Sequence, residues 1–189
     1  LANLILIDAD GTVIAAAHRV TAAQTRARTI APGQPYAAPP TPPLKRPPQS
    51  VTITDLATWL AAAPDGPAWR TLVDHMMGIS PLAAREAVFR AHHDARTANS
   101  AADAVALCAA LTTLTALPTS HAWAPSVALR ESSVATVLAW APYQLTHLAS
   151  ADVTVERVLT TLDAIARWNA SRTPGADTYH AARAAVLAA

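Results

Sequence analysis

The sequence predicts an α+β chain, mostly helical, in which a β hairpin, a proline-rich connector, a helix-hairpin-helix bundle, a second β hairpin and an amphipathic helix follow in order. Three observations carry this reading. Aliphatic runs flank an Asp-Gly turn at the start of the chain. Eight prolines then fall between Pro32 and Pro48. Beyond them, apolar residues recur at helical spacing behind Ser, Thr and Asp residues suited to capping.

In Leu4 to Ile7 a β-favouring run ends at Asp8-Ala9-Asp10-Gly11, and Val13 and Ile14 resume it. An Asp-Gly pair between two such runs signals a hairpin. An isolated two-stranded hairpin is marginal in water, so this one is expected to pack on helices or to belong to a larger sheet. Proline removes backbone donors and fixes φ, so 32–48 reads as an extended connector and as the clearest boundary in the chain.

The helical part follows. Thr54 is a candidate cap for a helix to about Ala63, and Asp65, with Pro67 in the first turn, for one to about Met77. Gly78 stops that helix, and Ser80-Pro81 opens another that carries Leu82, Glu86, Phe89 and Arg90. Ser100 and Asp103 resemble a capping box for an Ala/Leu-rich helix to about Leu117. Two β runs, Ser126 to Leu129 and Val134 to Trp140, form the second hairpin. Val155, Val158, Leu159, Leu162, Ile165 and Trp168 then mark one amphipathic helix, and Pro174 begins another. The division is therefore 1–48, 49–118, 119–150 and 151–189.

Composition bounds the function. At 189 residues and 52% apolar content the chain can bury a core, although much of that content is Ala. Phe occurs once, at Phe89, so Trp59, Trp69, Trp123, Trp140 and Trp168 are expected to carry the large packing contacts. A net charge of +1 excludes a strongly cationic surface overall but not a local basic patch. The lone Cys108 permits no intrachain disulfide. Ala101 to Pro118, the longest apolar run, contains Asp103 and is shorter than the roughly 20 residues a membrane span needs. No secretion signal is read, and a cytoplasmic location without membrane partners is expected.

Catalytic motifs are missing from the sequence: it has no glycine-rich phosphate loop, nucleophile elbow or zinc-type Cys/His spacing. No enzyme activity, cofactor or metal is expected. His92-His93-Asp94 is the one local cluster of metal-ligand types, but neighbouring helical side chains diverge by about 100°, which favours a solvated helix end. Asp8 and Asp10 flank a turn, where Asp bonds its own backbone.

Met76 to Glu86 is the most informative segment. A helix, a tight Gly turn and a second helix with small residues resemble a helix-hairpin-helix, whose outward amides receive a phosphate. Gly78, Ser80, Arg85 and Arg90 are its candidate nucleic-acid-binding residues; the alternative is a plain αα-hairpin with Gly as its C-cap. A second basic set comprises Arg19, Arg26, Arg28, Lys45 and Arg46, suited either to phosphate contacts or to solubility.

Taken in order, these segments resemble the NFACT family, the ribosome-quality-control group that includes bacterial RqcH. Ala2 to Asp8 with Asp10-Gly11 looks like the strand-turn-strand late in the NFACT-N domain. Arg28 to Tyr36 with Pro39-Pro40 is similar to that domain's exit, and Gly78 to Glu86 to the family's helix-hairpin-helix signature. Pro125-Ser126-Val127, Ala139 to Leu145 and Val158 to Trp168 resemble the β segment and the helix leading into the family's coiled coil. The resemblance implies an internal piece of a cytosolic factor that binds the large ribosomal subunit with a stalled nascent chain and peptidyl-tRNA. Such a factor recruits tRNA and, in bacteria, directs alanine tailing. The family's Asp-Arg pair would precede residue 1. A DNA-binding helix-hairpin-helix module and a fibronectin-binding adhesin or protein-interaction scaffold are the alternative readings.

Overall fold

The computed structural model describes residues 3–21, 23–24, 28–39, 45–130 and 136–172. They form two compact units that divide after Leu44, within the proline-rich connector.

In the first unit β1 (Ile5–Ile7) pairs antiparallel with β2 (Val13–Ala16). The turn forms as expected. Asp8 Oδ1 accepts from the amides of Asp10 (3.0 Å) and Thr12 (2.7 Å), and Gly11 takes φ +80°, a left-handed value that favours glycine. Backbone bonds link Val13 to Gln34 and Val20 to Ile30, and among the described residues of this unit Val13 and Ile30 are the buried ones.

The second unit opens with four helices: α1 (Ile53–Ala62), α2 (Ala68–His75), α3 (Pro81–His92) and α4 (Ala104–Thr115). Their shared core consists of Leu56 and Leu60 from α1, Leu72 and Met76 from α2 and its end, Ala84, Ala87 and Val88 from α3, and Leu107, Leu111 and Leu114 from α4. Alanines on the inward face of α3 let its neighbours approach closely, which suits so Ala-rich a sequence. Trp59, Trp69, Trp140 and Trp168 pack against the cores as expected, though only partly buried, whereas Trp123 belongs to none of these clusters and is 41% exposed. Leu, Val and Met fill the interior, and the larger indoles pack at its margins.

Several helix starts shift. The cap of α1 is Thr52, not Thr54, because Thr52 and Asp55 exchange the reciprocal bonds of a capping box. Pro67, not Asp65, precedes α2, without a side-chain cap bond. Ser80 caps α3 as expected, its Oγ accepting from the Ala83 amide at 3.1 Å. Asp103 alone caps α4, through the Val105 amide at 2.8 Å, while Ser100 lies in a preceding 3-10 turn. α4 ends at Thr115, and a short helix, α5 (Leu117–Ser120), follows.

The second β region is a three-stranded antiparallel sheet of order β4-β3-β5, with β3 (Ser126–Arg130), β4 (Thr136–Ala141) and β5 (Val153–Arg157). β5 corrects the expectation of one long helix through Val155 and Val158. Val153 and Val155 alternate along an edge strand, and only at Thr160, which forms a capping box with Asp163, does α6 (Thr161–Ser171) begin. Leu159 and Leu162, assigned to the apolar face of that helix, are 91% and 71% exposed. Residues on β3 alternate between two faces. Val127 packs with Val137, Val158 and Ala164 beneath α6, whereas Ala128 packs with Ala141, Leu145 and Leu82 of α3. Val134 of the expected β run and the helix expected from Pro174 lie outside the described residues.

Candidate nucleic-acid interface

The turn from α2 into α3 is built by three local choices. Met76 leaves the helix in extended conformation, Gly78 takes φ +69°, and Ser80-Pro81 restarts the helix. A Cβ on Gly78 would meet nothing within 4 Å, so the requirement for glycine is conformational and not steric. Among the described residues no protein acceptor takes the amides of Gly78, Ile79 or Ser80. Gly78 and Ser80 are exposed. Successive unpaired amides at the start of a twelve-residue helix form a site suited to an anion.

The structure brings some of the predicted cations to this turn. Lys45 and Arg46 pass alongside the end of α2: the Arg46 amide donates to the His75 carbonyl (2.8 Å) and the Met77 amide to the Arg46 carbonyl (2.9 Å). Lys45 Nζ donates to the Val73 carbonyl, and Arg46 pairs with Asp55 at 2.8 Å while half of its side chain stays in solvent. Arg85, one turn into α3, is exposed and lies 4.1 Å above the Trp69 ring, which holds the guanidinium in place.

Arg90 is turned to a different task. Its Nε donates to Glu86 Oε1 at 2.7 Å and its Nη2 to the Gln144 carbonyl at 2.8 Å, and the guanidinium lies 5.7 Å over Tyr143. Arg28 belongs to the first unit, where it donates to the Ala37 carbonyl and lies 5.9 Å over Tyr36. Arg26 lies outside the described residues. His93 ends α3 with φ 58°, and Asp94 receives the Arg96 amide. No group of three or more His, Cys, Asp or Glu arranged to hold a metal occurs among the described residues. No helix among them is long and apolar enough to cross a membrane.

Glu86 is the feature that sequence reasoning did not resolve. It is fully buried, and its carboxylate receives Arg90 Nε, the Thr146 amide and hydroxyl, the His147 amide and His147 Nδ1, at 2.7–3.2 Å. Burial opposes ionisation, but the bonds from His147, Arg90 and Thr146 outweigh it and hold the carboxyl at about 2. Burial, reinforced by the Glu86 charge, pushes the Tyr143 phenol up to about 12. A glutamate set among Ala84, Ala87 and Val88 on an inward helix face was the available signal; its partners Thr146 and His147, 60 and 61 positions away, were not readable.

The family described as NFACT N-terminal and middle domains matches residues 2–180 of this chain. No curated protein matches it. Among solved structures, that of the fibrinogen binding protein from Staphylococcus aureus aligns with a TM-score of 0.58 at 20% identity, over 88% of this chain and 54% of that one. The N-terminal part of the fibronectin/fibrinogen-binding protein from Streptococcus suis aligns with a TM-score of 0.58 at 18% identity, over 90% and 53%. At these identities the likeness is one of fold, and this chain spans about half the length of either neighbour.

Proposed function

Since this chain belongs to the NFACT family, we propose that it is the RNA-binding middle of a ribosome quality-control factor. In this reading the parent protein binds the large ribosomal subunit carrying stalled peptidyl-tRNA and recruits tRNA for alanine tailing in the cytoplasm. These side chains bind and do no bond chemistry. The observation that supports it best is the run of unpaired amides from Gly78 to Ser80 ahead of α3, with Arg85 exposed one turn on. Helix-start amides and an arginine suit a phosphate backbone and need no large net charge.

A second reading, a protein-binding surface for fibronectin or fibrinogen, is favoured by what the two structural neighbours bind. A DNA-binding helix-hairpin-helix uses the same amides. Filter-binding titrations against tRNA, duplex DNA and fibronectin separate the three. Preference for tRNA, with a salt-dependent affinity, is expected. Equal, steeply salt-dependent affinity for tRNA and duplex DNA would remove tRNA specificity, and binding of fibronectin alone would replace the RNA reading.

A further inference from the structure

Among the described residues the chain crosses only once from the helical part of the second unit to its sheet, along 121–125 between α5 and β3. We infer that this crossing is a hinge, that the sheet and α6 turn on it as one lever, and that Glu86 is the latch holding the lever at a single angle to α3. The inference does not depend on the RNA-binding reading.

The hinge shows in the backbone. His121, directly after α5, takes φ 54°, a left-handed value uncommon outside glycine. Residues 121–123 are exposed, so little packing fixes the crossing. Beyond it the lever has a core of its own, in which Val127, Val137, Val158 and Ala164 bind the sheet to α6, and none of these belongs to the helical core. A body packed in this way moves as a unit.

The latch lies on the connection from β4 to β5, which reaches back to α3. Glu86 accepts the Thr146 amide and hydroxyl, the His147 amide and His147 Nδ1, while Arg90 donates to the Gln144 carbonyl. An apolar seam runs beside these bonds: Leu82 of α3 packs with Ala128, Ala141 and Leu145, and Tyr143 packs against both cores. Apolar contact is non-directional, whereas bonds to a carboxylate are all made in one arrangement only. The network also carries desolvation costs that an apolar joint would not. Glu86 is fully buried, and among the described residues His147 Nε2 is buried without a partner. A network with those costs fixes geometry more than it adds stability.

The test uses the full chain. Hydrogen exchange on the wild type reads the latch, because the Thr146 and His147 amides donate to Glu86 across the joint, whereas the Leu145 amide donates to Ser126 Oγ within the lever. Thr146 and His147 are expected to exchange roughly 100-fold faster than Leu145 and the amides of β3, which a swinging lever leaves paired. Exchange of all three at the slow rate of β3 would overturn the latch, and fast exchange of all three together would mean a fraying loop and overturn the lever. Spin labels at Ala57→Cys in α1 and Asn169→Cys in α6, both exposed, with Cys108→Ala, read the angle as a distance. Without further change one narrow distance is expected. Glu86→Met with His147→Leu replaces the pair by apolar groups of similar size and should spread that distance over two or more populations. A single unchanged distance in this folded variant would overturn the inference and leave the angle to the apolar seam. Where the variant does not fold, the exchange measurement, which needs no substitution, decides.

Discussion

Glu86 Oε2 lies 2.7 Å from Nδ1 of His147, a residue 61 positions further along the chain. The contact ties α3 to the segment that follows β4, and the same carboxylate orders Arg90, and through it Tyr143. Two parts of the second unit, the helical hairpin and the sheet region, are thereby joined through one buried charge. Removing it takes the acceptor from five donor groups of Arg90, Thr146 and His147, so Glu86→Ala is expected to cost about 3–5 kcal/mol. Denaturant unfolding followed by tryptophan fluorescence checks this; a loss below about 1 kcal/mol would show that the network is not structural.

The same carboxylate sets a pH dependence. Its folded value of about 2 lies below its ordinary 4.5, so the sign is that of a depressed acid. The stabilisation is complete above the unfolded value and disappears as pH falls toward the folded one. Wild type should therefore lose about 3 kcal/mol between roughly pH 5 and 2 that Glu86→Gln does not lose. Parallel stability curves for the two proteins over that window would contradict the assignment.

Thr160 and Asp163 exchange bonds at the start of α6, with Thr160 Oγ1 accepting from the Asp163 amide at 3.1 Å and the Asp163 carboxylate accepting from the Thr160 amide at 2.9 Å. Thr160→Ala is expected to lower stability by about 1 kcal/mol, as for other lost caps. Amide exchange should speed up first in the opening turn of α6. Unchanged exchange there would place the start of the helix elsewhere.

Local signals were legible where a residue's structure depends on its immediate neighbours. Asp8 and Gly11 specify their turn, and Ser80-Pro81 specifies the start of α3, because each partner lies within four residues. β5 was not legible for the opposite reason. Val155, Val158, Leu162 and Ile165 fall at helical spacing by coincidence, since an edge strand and a capped helix abut at Val158. What decides strand is pairing with β3, Val127 opposite Glu156, about 30 residues away. Glu86 failed similarly: a charge on an inward face is recognisable as unusual, but the donors that make it tolerable come from a distant segment. Arg90 is a candidate phosphate contact by its place in the hairpin, and its guanidinium bonds Glu86 and the Gln144 carbonyl, a commitment that the local sequence does not reveal.

Gly78 separates backbone conformation from surface chemistry. At φ +69° an L side chain is strained, although a Cβ there would meet nothing within 4 Å. Gly78→Ala is expected to cost about 1–2 kcal/mol of stability. Because the amide itself is retained, tRNA affinity of the folded protein should change less than twofold. A large loss of affinity at unchanged stability would instead mean that ligand approaches Gly78 too closely for a methyl group.

Arg85 offers the sharpest test of the interface, because its two roles carry different signatures. Its guanidinium stacks 4.1 Å above Trp69, a contact worth about 0.5–1 kcal/mol at an exposed site, so some change in melting temperature accompanies its replacement. A phosphate contact would show instead in the salt dependence of binding, each one contributing a slope of about −0.9 in log K against log salt on duplexes and about −0.7 on single strands. Arg85→Met keeps the apolar stem over Trp69 and removes the charge; Arg85→Glu reverses it. Both should lower tRNA affinity and flatten the salt slope by about one contact, Arg85→Glu the more strongly, while Arg85→Lys keeps most of the slope. If all three variants bind with the wild-type slope, Arg85 serves only Trp69, and the turn from Gly78 to Glu86 is a plain αα-hairpin.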